Sequence, residues 1–74
     1  MKTDAEILWS NVKRICKTKG TKVSYVEEKV GYGRGHLRHM AARDGHVYID
    51  HIRYYSQALK VKPEKLMEGM FDDN

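Results

Sequence analysis

An all-α domain of five helices is what this sequence predicts, and three observations predict it. Apolar residues recur at spacings of three and four rather than in strict alternation. Gly20, Gly31, Gly33, Gly45 and Pro63 cut the chain into helix-sized segments. Thr3 followed by Glu6 is a capping-box pattern, in which the hydroxyl serves an orphan amide and the carboxylate reaches back to the cap residue. With 74 residues, 41% hydrophobic and 32% charged, the chain is long enough for one core. A chain of this size hides only about 60% of the surface its unfolded form exposes. One domain over residues 1–74 is therefore expected, with little room for the deep pocket of an elaborate enzyme.

The first helix is expected over residues 4–19. Leu8, Val12, Ile15 and Cys16 form one stripe along it, Lys17 and Lys19 complement the dipole near its end, and Gly20 stops it. The second is expected over residues 23–30, with Val23, Val26 and Val30 on the apolar side and Glu27, Glu28 and Lys29 away from it. Its valines also suit a strand, but alternation is missing, and Glu and Lys disfavour a strand interior. A third helix is expected over residues 34–43, with Leu37, Met40 and Ala41 inward. Asp44, Gly45, His46 and Val47 form a loop pattern. The fourth helix, over residues 49–60, carries Ile49, Ile52, Tyr55, Ser56 and Leu59 on one face. Of its adjacent tyrosines, Tyr55 belongs in the core and Tyr54 at the surface, because neighbours in sequence do not share a helix face. Pro63 suits the first position of a last helix over residues 63–69, docked by Leu66 and Met67. Residues 71–74 are expected to fray.

Charge is unevenly placed. Residues 10–43 carry nine Lys or Arg against Glu27 and Glu28, a net +7, whereas residues 1–9 and 44–74 come to −1 and −2. Such a block suits a polyanionic or acidic partner. The lone Cys16 closes no internal disulfide, and no basic-then-apolar leader opens the chain, so a reducing cytoplasm is the expected compartment. No apolar run approaches the roughly 20 residues of a membrane span, and no membrane association is expected.

The basic block contains two short helices joined by Gly31-Tyr32-Gly33, the arrangement of a helix-turn-helix. Gly31 suits the left-handed end of one helix, and Gly33 is expected to be the N-cap of the next. At 100° per residue the outward arc of the third helix holds Gly35, Arg38, His39 and Ala42, with Arg34 projecting from its first turn. Arg34 and Arg38 each offer a fork of donors for guanine O6 and N7 or for a phosphate, and Gly35 permits close approach. The starts of the second and third helices, near Lys22, Ser24 and Arg34, are candidate phosphate clamps, extended by Lys17, Lys19, Arg43 and His46.

The run from Ile7 to Met67 resembles the Cro/C1-type, or lambda-repressor-like, helix-turn-helix family. The matching pieces begin at Asn11, Ser24, Gly33 and Ala58 and end at Gly20, Gly31, Arg38 and Leu66. With Cys16 in the first helix and Gly33-x-Gly35 opening the third, the chain is similar to regulators of phages and prophages of Gram-positive bacteria. The resemblance implies five helices, the second and third forming the motif, in a protein of the bacterial host cytoplasm. It implies that Arg34, Gly35, Arg38 and His39 face the major groove, while Ser24, Ala42 and Arg43 lie near phosphates. Many members carry a Gln that contacts phosphate and braces the reading helix where this chain has Val23.

Two partners follow from this reading. The first is double-stranded operator DNA, bound by a small Cro-like regulator; a dimer built through Trp9, the fourth helix or the last helix is expected, because one module buries little surface. The second is a phage repressor protein whose DNA binding an antirepressor or modulator would block through the same face. Trp9, Tyr54, Met70 and Phe71 are candidates for an apolar patch outside the core. His36, His39, His46, His51 and Cys16 lack four-ligand metal spacing, and Gly31-x-Gly33-x-Gly35 lacks the strand and spacing of a nucleotide loop. No catalytic pair, cofactor, metal or small-molecule substrate is expected.

Overall fold

Among residues 2–43 and 45–71, which the computed structural model describes, the chain forms five helices and no strand. They are α1 (Asp4–Lys19), α2 (Val23–Val30), α3 (His36–Ala42), α4 (Ile49–Leu59) and α5 (Pro63–Leu66). None is long and apolar enough to cross a membrane.

The capping box at Thr3 forms as its sequence predicts. The Glu6 amide donates to Thr3 Oγ1 at 3.2 Å, and the Thr3 amide donates to Glu6 Oε1 at 2.8 Å. Gly20, left-handed at φ 72°, returns its amide to the carbonyls of Cys16 and Lys17 and ends the helix. Leu8, Val12, Ile15 and Cys16 are all buried, and they meet Val26, Leu37, Ile52, Tyr55, Leu59 and Leu66 in one core. α1 packs chiefly across α3, α2 packs on α4, and α4 reaches α5.

A polar residue closes the ring of helices at the far end. Asn11 is buried beside the apolar stripe, and its Nδ2 donates to the carbonyls of Leu66, at 2.7 Å, and Glu68, at 3.0 Å. These are the acceptors that the end of a short helix leaves without intrahelical partners. Arg14 then donates to Asn11 Oδ1 at 3.2 Å and pairs with Glu68 at 3.1 Å. Pro63 opens α5 at its first turn, Leu66 is fully buried, and Met67 packs against the core.

Several expectations are corrected. α3 begins at His36 rather than residue 34, because Gly33 (φ 91°) and Gly35 (φ 83°) are both left-handed and hold Arg34 in the turn. α5 ends at Leu66, with turns through Met67 and Met70 replacing the longer helix. Ile49 is 75% exposed, because it lies in the first turn at the edge of the stripe set by Ile52, Tyr55, Ser56 and Leu59. Trp9 and Met70 pack against the core, leaving Tyr54 and Phe71 exposed, so the four do not form one outer patch. Lys13 Nζ sits 4.1 Å from the Trp9 ring centroid. The expected fraying of residues 71–74 falls, beyond Phe71, outside the described residues, as does Asp44 of the expected loop.

Replacing Asn11 by Ala removes both donors and leaves the Leu66 and Glu68 carbonyls short of partners. We expect a loss of about 1–3 kcal/mol, read as a fall in Tm of at least about 4 °C. Amide exchange should quicken in α5 before α3, and an unchanged Tm would contradict the clamp.

Candidate macromolecule-binding face

The geometry of α2 and α3 depends on a side chain that periodicity assigns to solvent. Glu27 stands four residues after Val23 and so shares its face, and it is only 3% exposed. Its carboxylate accepts two amides at the start of α3: Gly35 N–H at 2.9 Å on Oε1 and Leu37 N–H at 2.8 Å on Oε2. A buried anion is tolerated here because it meets the positive end of a helix and two charge-assisted hydrogen bonds. The Glu27 carbonyl also accepts the amides of Tyr32 and Gly33, each at 3.2 Å. One residue therefore organises the whole turn between the helices. Gly35, not Gly33, is the N-cap of α3; its positive φ keeps the backbone where Glu27 can reach it.

A cluster of rings sets how α3 meets α4. His36 stacks on Tyr32, with centroids 4.1 Å apart and planes 13° from parallel, and its Nδ1 lies 2.8 Å from the hydroxyl of fully buried Tyr55. The His51 ring lies 5.3 Å from His36 and 5.4 Å edge-on from Tyr32. His51 also caps its own helix: the Tyr48 amide donates to His51 Nδ1 at 3.0 Å, and the His51 amide donates to the Tyr48 carbonyl at 3.0 Å. Burial lowers the pKa of both histidines, assisted at His36 by the neighbouring His51 and His39, and opposed by Glu27 at His36 and by Asp50 at His51. Burial first, then Glu27 and Tyr32, raises the Tyr55 phenol far above its ordinary value. Burial also raises the Cys16 thiol, with Glu27 adding to the effect.

Against this scaffold the sequence-derived candidates fall into four places. Arg34, Gly35, Arg38, His39 and Ala42 line one open depression of about 440 Å³, beside Tyr32 and His36. His39, Arg43 and His46 border a second, of about 330 Å³, with Tyr48 and His51. Leu37, fully buried, anchors the other side of α3, and Met40 packs against the core. Lys22 and Ser24 stand at the start of α2, where Lys22 makes no side-chain cap bond. Lys17 and Lys19 are exposed at the end of α1, and Lys19 borders a separate depression of about 260 Å³ with Arg14, Val61 and Lys65.

Electrostatically the α3 face is open. The ion pairs among the described residues are Arg14–Glu68, Arg53–Asp50 and Lys65–Glu68, and none involves α2 or α3. Arg34, Arg38 and Arg43 are exposed without a carboxylate partner among the described residues. One expectation is revised, because the first amides of α3 do not face an incoming phosphate. Gly35 and Leu37 donate to Glu27, and His36 donates to the Gly33 carbonyl at 3.3 Å. Sequence reasoning missed Glu27, Tyr32, His36 and His51. The only signal for Glu27 was its i, i+4 relation to Val23, and the ring contacts link segments far apart in the chain.

Comparison with family models, with curated proteins and with solved structures returned no match.

Glu27→Gln keeps one acceptor oxygen but sets its amide group against a backbone donor. The expected cost is about 1–3 kcal/mol, seen as a lower midpoint in urea unfolding, with Glu27→Ala worse. Gly35→Ala meets no atom within 4 Å, so its cost is backbone strain alone, about 1–2 kcal/mol. A neutral Glu27→Gln would show that the carboxylate does not hold α3.

Proposed function

We propose that the chain is a small, Cro-like transcriptional regulator of the phage type that lays α3 in the major groove of double-stranded operator DNA. The observation that carries this reading is the exposure of Arg34 in the turn before α3, Arg38 within α3 and Arg43 at its C-cap, none of them paired with a carboxylate among the described residues. A helix about 10–12 Å across with its side chains suits a groove about 12 Å wide. Arg38 and His39 meet base edges from the helix, while Arg34 reaches them from the turn. Lys22, Ser24, Ala42 and Arg43 lie along the phosphates, with Lys17, Lys19 and His46 extending the positive field. A second copy supplies the other half-site, because one module offers too little contact for strong selectivity.

A second reading is favoured by one observation. Tyr48, 64% exposed, borders the same depression as Arg43 and His46, and Ile49, 75% exposed, follows it at the start of α4. Tyrosine, an aliphatic residue and arginine together suit the centre of a protein interface better than a row of phosphates. In this reading the chain is an antirepressor that covers the DNA-reading helix of a repressor protein.

Arg38→Ala should weaken duplex binding by about 1–3 kcal/mol and relax one base preference, whereas Lys17→Ala should weaken all sequences alike and flatten the salt dependence. Unchanged affinity in both would end the DNA reading. A gel shift that the chain produces alone supports the regulator. A chain that gives no shift alone but abolishes a repressor's shift, and loses that effect in Ile49→Ser, supports the antirepressor.

A further inference from the structure

Two histidines, His36 of α3 and His51 of α4, meet at the α3–α4 junction. In His51 the geometry fixes the tautomer: Nδ1 accepts the Tyr48 amide, so the neutral ring carries its proton on Nε2. A second proton has only Nδ1 to occupy, where it would face another donor, and the cap of α4 would be lost. His36 holds the other half of the junction, stacked on Tyr32 and bonded to Tyr55 of α4. Its ring centroid is 5.3 Å from that of His51, so charging both sets two cations side by side.

We propose that His36 and His51 form an acid-sensitive latch: neutral, they hold α3 against α4, and protonated, they open that junction while α1 and α5 stay packed.

The groups around the pair reinforce this. His39 and Arg43 at the end of α3 border the same depression, with His46 on the following connection, and the guanidinium of Arg43 is a fixed positive charge beside the pair. The Tyr32 and Tyr55 phenols, both raised by burial, supply no anion in this range. Two carboxylates oppose the effect. Glu27 of α2 has both oxygens engaged by the Gly35 and Leu37 amides, and Asp50 of α4 pairs with Arg53 at 3.6 Å. Both histidines titrate below their ordinary value, because burial disfavours their charged forms. The unfolded chain therefore takes protons first as pH falls. Stability is full above about pH 6.5 and declines below it, through the folded-state values. The Asn11 amide and the Leu66 and Glu68 carbonyls it joins between α1 and α5 are not ionisable groups. The effect on binding rests on the reading of α3 as the binding face; the opening itself does not.

The test is amide-exchange protection at pH 7.5 and pH 5.0, each normalised to intrinsic rates, in wild type and in a His36→Phe, His51→Asn double variant. The Asn oxygen accepts the Tyr48 amide at every pH. In wild type, Leu37 and His51 should lose at least roughly five-fold in protection at acid pH, and Val12 less than about two-fold. The double variant should lose no more at the junction than at Val12. Equal loss in both proteins, or none in wild type, overturns the latch. Should the double variant not fold, ring titration of wild type by NMR decides. Midpoints for His36 and His51 below the ordinary histidine value support the latch, and midpoints at or above that value overturn it. A duplex of about 20 base pairs is the binding probe. If the junction opens but the acid-to-neutral affinity ratio is the same in wild type and variant, the α3 binding face fails and the latch stands.

Discussion

A single buried carboxylate determines where α3 points. Glu27 reaches out of α2 and takes the Gly35 and Leu37 amides, so the two helices share a hydrogen-bonded joint as well as an apolar contact. Everything exposed on α3 inherits its position from this joint. Leu37, two residues after the cap glycine whose amide Glu27 holds, is driven into the core, and Arg38 is turned outward by the same geometry. Such a joint is stiff because breaking it strands a buried anion and two buried donors together.

The molecule thus has two differently built ends. At one, Asn11 and Arg14 tie α1 to the close of α5 by neutral and exposed polar contacts. At the other, α2, the glycine turn, α3 and the start of α4 are joined by Glu27 and by the rings of Tyr32, His36, His51 and Tyr55. The first end carries the Arg14–Glu68 and Lys65–Glu68 pairs, whereas at the second Arg34, Arg38 and Arg43 have no carboxylate partner among the described residues. In the proposed reading the positive charge is left unneutralised where a partner's negative charge would meet it.

The fold was legible because its helices obey local rules. The Thr3 box, the stop at Gly20, the stripe from Leu8 to Cys16 and Pro63 at a helix start are set by neighbours within a turn or two. The start of α3 was misplaced because a glycine is compatible with both a turn and a cap. Only the distant carboxylate decides between Gly33 and Gly35. Ile49 was misassigned for a related reason, since a first-turn residue at the edge of a stripe satisfies the periodicity without being covered.

The candidate site was legible in part. Exposure of Arg38, His39 and Arg43 follows from helical geometry once Leu37 is placed inside, whereas Arg34 is exposed because it lies in the turn before α3. The brace was not, because a helix-turn-helix resemblance led to the position of Val23, where family members carry a bracing Gln, while this chain does the work four residues later. The histidines were weighed as metal ligands by their spacing. Their engagement with the Tyr48 amide and the Tyr55 hydroxyl depends on contacts across the chain that spacing does not encode.

The most direct measurement is a map of backbone amide shifts by two-dimensional NMR as duplex DNA is added at low salt. The account predicts that the largest changes cluster at Arg34, Arg38, His39 and Arg43, with Leu66 and Glu68 at the Asn11 clamp silent. Changes concentrated along Arg14, Lys19 and Lys65, with α3 unmoved, would contradict it.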